Sequence, residues 1–385
     1  MDNQFFFALL SPKKFLQGKY LTEINFDKQL NNLIMKCRIT FAGVGLIVAA
    51  MLNSGNAQAQ DVHFTQFDAS PLTLNPANTG AFNGEVRANA IYRDQWRSVI
   101  GASAFKTYGV SVDAPIIRDI SVDDYLAAGV EVYEDKAGDG NLSNFTALLS
   151  VAYHKFLGED GKKVLTVGLQ GGYTQKNLDL SKLYFGDEFN EGAFQNGTSA
   201  EFGWLTTKTS NYVINAGINY SQLVNDRFSF VIGGGVNNIN QPLESFDRRK
   251  ATADVGLAMR YTGQLGAVIG INDKFSLKPA VLYQSQATAT ELVLGNEFNL
   301  KVGDNYDVPT ATAVYAGVWY RMKDAIMVTA GIEYKGFRVG VGYDYNTSDL
   351  KSASNNNGGF EISLRYIAPS PLDFARKLLY PCSRF

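Results

Sequence analysis

Three observations predict the fold class: short segments of alternating polar and apolar residues, an export signal ahead of them, and a composition rich in glycine and aromatics. Together they point to an all-β protein, a closed antiparallel transmembrane β-barrel of about 14 strands in a bacterial outer membrane. The chain of 385 residues carries 37 Gly, 20 Tyr and 25 Phe against 10 Pro. After Gln60 no stretch offers the ~20 apolar residues that a membrane-spanning helix requires. Alternating segments of about 10 residues, the length of a tilted membrane strand, take their place.

The export signal comes first. Met35-Lys36-Cys37-Arg38 is a short basic region, residues 39–52 form an apolar run too short for an ordinary span, and Ala57-Gln58-Ala59 supplies the small residues a signal peptidase needs. Residues 35–59 are therefore expected to be a signal peptide, and 1–34 a non-native upstream extension, with Met35 the true start. Of the two cysteines only Cys382 would survive cleavage, so no internal disulfide framework is expected. A net charge of −2 gives no reason to expect a nucleic-acid partner.

Residues 60–84 contain Pro and Asn-Pro breaks and no alternation. They read as a periplasmic N-terminal segment or a partial plug. The barrel is expected over 85–367, with strands at 85–93, 105–114, 125–134, 145–156, 163–175, 212–222, 226–237, 261–271, 274–285, 288–300, 311–322, 325–334, 337–346 and 359–367. Three late segments show the pattern best. Ile326, Val328, Ala330, Ile332 and Tyr334 share one face; so do Phe337, Val339, Val341, Tyr343 and Tyr345, and then Phe360, Ile362, Leu364 and Tyr366. Period-two alternation puts the residues between them on the opposite face. Those residues include the charges Glu333, Arg338, Asp344, Glu361 and Arg365. A dry core would not tolerate them unpaired, so a polar lumen is expected, crossed by a charge ladder of these five.

An even strand number puts both ends of the barrel on one side, expected to be periplasmic along with the N- and C-termini. Short connections at 224–225, 272–273 and 335–336 then become inner turns, and 176–210, 238–260 and 347–358 become outer loops. The tight hairpins near Ala287 and at Lys323-Asp324 are unusual for outer loops. Residues 368–385 are expected to be a periplasmic tail.

Several motifs follow one another in order along this chain: Gln60-Asp61-x-His63-Phe64-x-Gln66, Leu74-Asn75-Pro76-Ala77, Tyr92-Arg93-Asp94-Gln95-Trp96, Ser111-Val112-Asp113-Ala114-Pro115, Tyr320-Arg321-x-x-Asp324-Ala325, Gly342-Tyr343-Asp344-Tyr345-Asn346-x-Ser348, Gly358-Gly359-Phe360-Glu361-Ile362-Ser363 and the terminal Pro381-Cys382-Ser383-Arg384-Phe385. In this order they closely resemble the PorP/SprF family of type IX secretion system outer-membrane proteins. Where the family tail more often has Pro, this chain has Ser383. The resemblance implies a Gram-negative barrel that supports secretion of adhesin-like cargo, gliding adhesins among it, through a C-terminal signal domain. It also implies partners: a periplasmic peptidoglycan-binding lipoprotein, and the ring complex or translocon.

Catalytic and metal chemistry finds little support. After Ala59 the chain has only His63 and His154, nearly a hundred residues apart, so neither a His-rich metal site nor a triad is expected, and no cofactor is implied. His154 lies in a strand and reads as packed; His63 reads as a hydrogen-bonding anchor. Residues 134–141 hold Asp139-Gly140, a hairpin signal, and lack the ligand spacing of a calcium loop. Gly233-Gly234-Gly235 has no Lys-Ser/Thr after it and reads as strand. Arg93, Gln95 and Trp96, at the outer end of the first strand, are expected either to anchor at the headgroup level or to contact a partner protein. His63, Asn75, Pro76 and Ala77 are the candidate residues for docking the lipoprotein. Outer loops 94–104, 176–210 and 238–260 are the candidate cargo surface. The competing reading is an outer-membrane diffusion channel or hydrophobic-ligand transporter.

Overall fold

The computed structural model describes residues 62–369, apart from 122, 159, 191, 251–255, 303–311 and 350. The upstream extension, the signal peptide and the tail beyond 369 lie outside the described residues. Fourteen strands close into one antiparallel barrel. They are β1 Val86–Gln95, β2 Phe105–Ile117, β3 Tyr125–Ala137, β4 Leu142–Phe156, β5 Lys163–Asn177, β6 Lys208–Asn225, β7 Phe228–Asn237, β8 Arg260–Gly270, β9 Phe275–Gln286, β10 Ala289–Lys301, β11 Ala313–Arg321, β12 Ala325–Tyr334, β13 Phe337–Asn346 and β14 Asn357–Ala368. Each pairs with its sequence neighbour, and closure comes from β1 against β14, with Val86 opposite Ala368 and Gln95 opposite Gly359. Closure leaves no unpaired sheet edge, the condition for backbone in hydrocarbon.

Alternation fixes which way the wall faces. In β13 the residues Phe337, Val339, Val341, Tyr343 and Tyr345 are exposed, while Arg338, Asp344 and Asn346 between them are buried. The same inversion of a soluble protein's pattern runs round the barrel: Leu149 is 67% exposed, Leu169 62% and Tyr212 75%, whereas Arg87 is 1% exposed. An apolar outer surface of this extent suits a lipid environment, since soluble surfaces rarely carry apolar patches beyond a few hundred Å².

The barrel has two unlike mouths. At the turn face, where β1 begins and β14 ends, β6 and β7 are joined by Asp226-Arg227 and β12 and β13 by Lys335-Gly336. Gly336 and Lys335 both take left-handed backbone, φ 85° and 48°, as a two-residue hairpin demands. At the opposite, loop face lie 178–207, 238–259 and 347–356, together with the short turns 287–288 and 322–324. The 178–207 loop carries its own ribbon, Phe189–Asn190 paired with Ala193–Phe194.

Residues 64–82 are almost entirely buried and run inside the barrel. Pro71 and Pro76 start short helical turns, Pro71–Leu74 and Pro76–Asn78, where a missing amide hydrogen costs nothing. The Asn75 side chain caps the second by accepting from the Ala77 amide at 2.9 Å. This segment is an internal plug.

An arginine introduced at the lipid-facing midpoint of β5, Leu169→Arg, should cost about 2–4 kcal/mol, measured by reversible urea unfolding in lipid vesicles. Asn196→Arg in the exposed 178–207 loop should change stability little. Equal effects at the two positions would contradict the assigned lipid face.

Candidate functional site

The centre of the molecule is the contact between the plug and the inner wall. Inward positions of the strands are largely hydroxyl, amide and charged groups, so the wall offers polar partners along its length. Starting from the N-terminal side, Glu361 of β14 accepts the amides of Thr65 at 2.6 Å and Gln66 at 2.8 Å. Arg93 of β1 binds Glu361, donates to Asp344 of β13 at 2.9 Å, and donates to the Thr65 hydroxyl at 2.8 Å. Thr65 also donates its hydroxyl hydrogen to Asp344. Arg321 of β11 adds contacts to Asp344 at 3.3 Å, Asp324 at 3.0 Å and Glu291 at 3.6 Å. His63 lies 3.9 Å from Glu291.

A second charged cluster surrounds Asp68. Arg338 of β13 binds Glu333 of β12, reaches Glu297 of β10 at 2.7 Å and Asp68 at 3.4 Å, and stacks over the Tyr315 ring at 3.6 Å. Lys278 of β9 lies 3.3 Å from Glu297, and Arg365 of β14 lies 4.0 Å from Asp68. Arg338 and Arg365 are register partners on neighbouring strands. Two like charges opposite one another repel, and the plug carboxylate between them offsets that.

Further along, backbone and amide groups take over. Asn75 donates to Asn219 at 2.9 Å and to the Gly234 carbonyl at 3.1 Å. The Asn78 side-chain oxygen accepts from Asn219 at 2.7 Å and Gln264 at 3.0 Å. Ser70 and Thr73 donate to Glu131 at 3.2 and 2.7 Å. Arg87 forks onto Asp113, with Nε 3.0 Å and Nη2 2.8 Å from its two oxygens, and Asp113 accepts the Gly80 amide at 2.7 Å. His154 contacts the Thr79 carbonyl at 2.7 Å and the Thr166 hydroxyl at 2.9 Å, and stacks on Tyr125. Two wall glycines make room: a β-carbon on Gly168 would strike the Pro76 and Ala77 backbone, and one on Gly217 the Asn75 side chain.

These positions revise several expectations. Asn75, Pro76 and Ala77 are sealed within the barrel and bind its own wall, out of reach of a docking partner. The Asn75 side-chain amide faces Asn219 and the Gly234 carbonyl, and the Pro76–Ala77 backbone lies against Gly168 of the wall. Arg93 also points inward and is 2% exposed, so it is no headgroup anchor; parity with Arg87 and Asn89 puts it on the inner face of β1. Gln95 accepts from Arg93 at 3.2 Å, and Trp96 packs edge-on against Phe105 at the loop face, half-buried. The five ladder residues do face inward, but they divide between the two clusters: Asp344 and Glu361 share Arg93, while Glu333, Arg338 and Arg365 gather near Asp68. The polar lumen expected between the strands is occupied by residues 64–82. Sequence reasoning did not single out Asp68, Glu131, Asn219, Gln264 or Glu297. Each strand residue among them is an inward polar position in a strand, a signal that alternation does contain.

Arg93→Ala leaves the buried Asp344 and Glu361 carboxylates short of their shared cation. Breaking a buried pair from one side costs about 3–5 kcal/mol, so the variant should unfold at lower urea than the parent. Arg93→Lys should recover only part of the loss, because an ammonium cannot fork between both carboxylates. Unchanged stability in Arg93→Ala would overturn the assigned role.

The family model for "Type IX secretion system membrane protein PorP/SprF" matches residues 56–366. Among solved structures the chain is similar to the CymD monoaromatic hydrocarbon channel, at 11% identity and TM-score 0.44 over 82% of this chain and 96% of that one. It is also similar to the Pseudomonas putida toluene transporter TodX, at 11% identity and TM-score 0.43 over 82% and 95%. A third likeness is to CdiB from Acinetobacter baumannii, at 9% identity and TM-score 0.37 over 73% of this chain and 60% of that one, so this chain spans about 60% of the length of CdiB. No curated protein matches.

Proposed function

The chain belongs to the PorP/SprF family of type IX secretion system membrane proteins, and from that premise we propose that it is a sealed docking platform in the outer membrane and not a conduit. On this reading the barrel holds a fixed surface at its loop face for adhesin-like cargo bearing a C-terminal signal domain. Its turn face meets the periplasmic secretion components, a peptidoglycan-binding lipoprotein and the ring complex or translocon. Both assignments rest on the family and on the orientation rule that long loops face outward.

The observation that carries the proposal is the filled lumen. Residues 64–82 occupy the interior and are tied to the wall by both charged clusters and the amide network. A lumen closed in this way supports a role in binding at the surface over one in passage. The loop face offers suitable material: Tyr184, Phe189 and Phe194 are exposed on the 178–207 loop, with ring centroids 5.4 Å apart for Tyr184 and Phe194 and 5.0 Å for Phe189 and Phe194. Clustered aromatics of this kind are common anchors in protein interfaces.

Two measurements test the proposal together. In planar bilayers the purified barrel should show no steady single-channel conductance. In cells, deletion of 180–205 should leave the barrel assembled and heat-modifiable on gels while export and surface attachment of cargo are lost. A stable open pore, or intact cargo export after the deletion, would contradict it.

A further inference from the structure

The plug and the strands do not start at the same mouth. We propose that the chain enters the barrel at the loop face, doubles back once within the lumen, and leaves at the turn face to begin β1, so that the start of the plug is part of the loop-face surface.

The contacts of successive plug residues trace this path. The Val62 carbonyl accepts from Arg260 at 3.4 Å, and Arg260 is the first residue of β8, directly after the 238–259 loop. His63 approaches Glu291, the third residue of β10 after the tight turn 287–288. Thr65 binds Asp344 and Arg93, each two residues from the loop-face end of its strand. Arg321, the last residue of β11, closes the same cluster.

The other end of the plug contacts the opposite mouth. Gly80 donates its amide to Asp113 and accepts from the Tyr125 hydroxyl at 2.9 Å, and Tyr125 is the first residue of β3. Thr79 meets His154, two residues from the turn-face end of β4. Ala81 packs with Tyr125 and Val164 at the starts of β3 and β5, and the Glu85 amide donates to the carbonyl of Ala368, the last residue of β14, at 2.9 Å.

Between these ends the chain dips to Asp68, beside Arg338 and Arg365, and rises again to Thr73, whose carbonyl accepts from Arg260 at 2.8 Å. It then descends through Asn75 and Asn78. Chain length allows the detour: a segment of some twenty residues could extend ~70 Å, whereas the hydrocarbon thickness is only ~30 Å. Burial follows the same course, with Val62 and His63 partly exposed at one end, Asn83 and Glu85 partly exposed at the other, and nearly every residue between them buried. With the long loops outward, this path puts the start of the plug at the outer mouth, opposite to the periplasmic N-terminus expected from the even strand number, and leaves its exit at 83–85 at the turn face.

Side-specific cysteine labelling tests the crossing without assuming which face is outward. In a chain carrying Cys37→Ser and Cys382→Ser, a short Gly-Ser-Cys-Gly insertion ahead of Val62 is compared with Asn196→Cys on the loop face and Asp273→Cys on the turn face, using a membrane-impermeant maleimide on intact cells and on broken membranes. The inserted cysteine should follow Asn196→Cys in both conditions and part company with Asp273→Cys in intact cells. Labelling that follows Asp273→Cys would overturn the proposal. Should the insertion block assembly, Val62→Cys, close in size to the native side chain, carries the same comparison with the same two outcomes.

Discussion

Every polar group on the inner wall needs a partner, and the wall alone cannot supply them all. Alternation obliges each strand to present one face to lipid and the other inward, and here the inward face carries arginines, carboxylates and amides. An ionised group withdrawn from water without a partner costs several kcal/mol. The solution is internal: the residues ahead of β1 fold into the barrel and bring Asp68, Asn75, Asn78 and a run of backbone amides to meet the wall. Plug and wall thus depend on each other. Without the plug, Arg338 and Arg365 would face each other with no Asp68 carboxylate beside them, and the plug, with no regular hydrogen-bonded structure beyond short turns, would have nowhere to satisfy its backbone.

Apolar packing has a smaller part than in a soluble protein. Phe67 and Leu74 of the plug pack with Leu282, Trp319 and Met327 of the wall, and Phe67 meets Trp319 edge-on at 5.1 Å. Most of the large apolar side chains face outward. Stability on the lipid side comes from the membrane, and specificity on the inner side comes from fitted polar contacts. Gly168 and Gly217 belong to that fit, because only a bare α-carbon lets the plug backbone approach there.

The wall was legible in the sequence, whereas the plug was only one of two readings of 60–84 and its partners could not be read at all, for one physical reason. A strand with lipid on one side and polar groups on the other writes its burial in a period of two, so β12, β13 and β14 could be read residue by residue. Boundaries were harder where strands outrun the bilayer: β5 and β6 keep pairing from Lys163 opposite Gln222 to Asn177 opposite Lys208, past the expected 163–175 and 212–222. Residues 62–84 have no period, and their partners are spread over most of the strands. Asn75-Pro76-Ala77 stood out as a motif, but nothing local says that its partners are Asn219 and Gly234. Arg93 could have been placed by parity with Arg87 and Asn89. The split of the inner charges could not, because the residues dividing them, Thr65 and Asp68, lie outside every strand.

Amide hydrogen exchange across residues 64–82, with the barrel in lipid vesicles, tests the central claim most directly. If the plug is an integral part of the barrel interior, the Thr65, Gln66, Ala77 and Gly80 amides, each bonded to a side-chain oxygen, will be protected to nearly the level of the wall strands and will be released only with global unfolding. Fast exchange of these amides beside a fully protected wall would contradict the account, since it would mean a barrel that keeps its shape with its interior vacated.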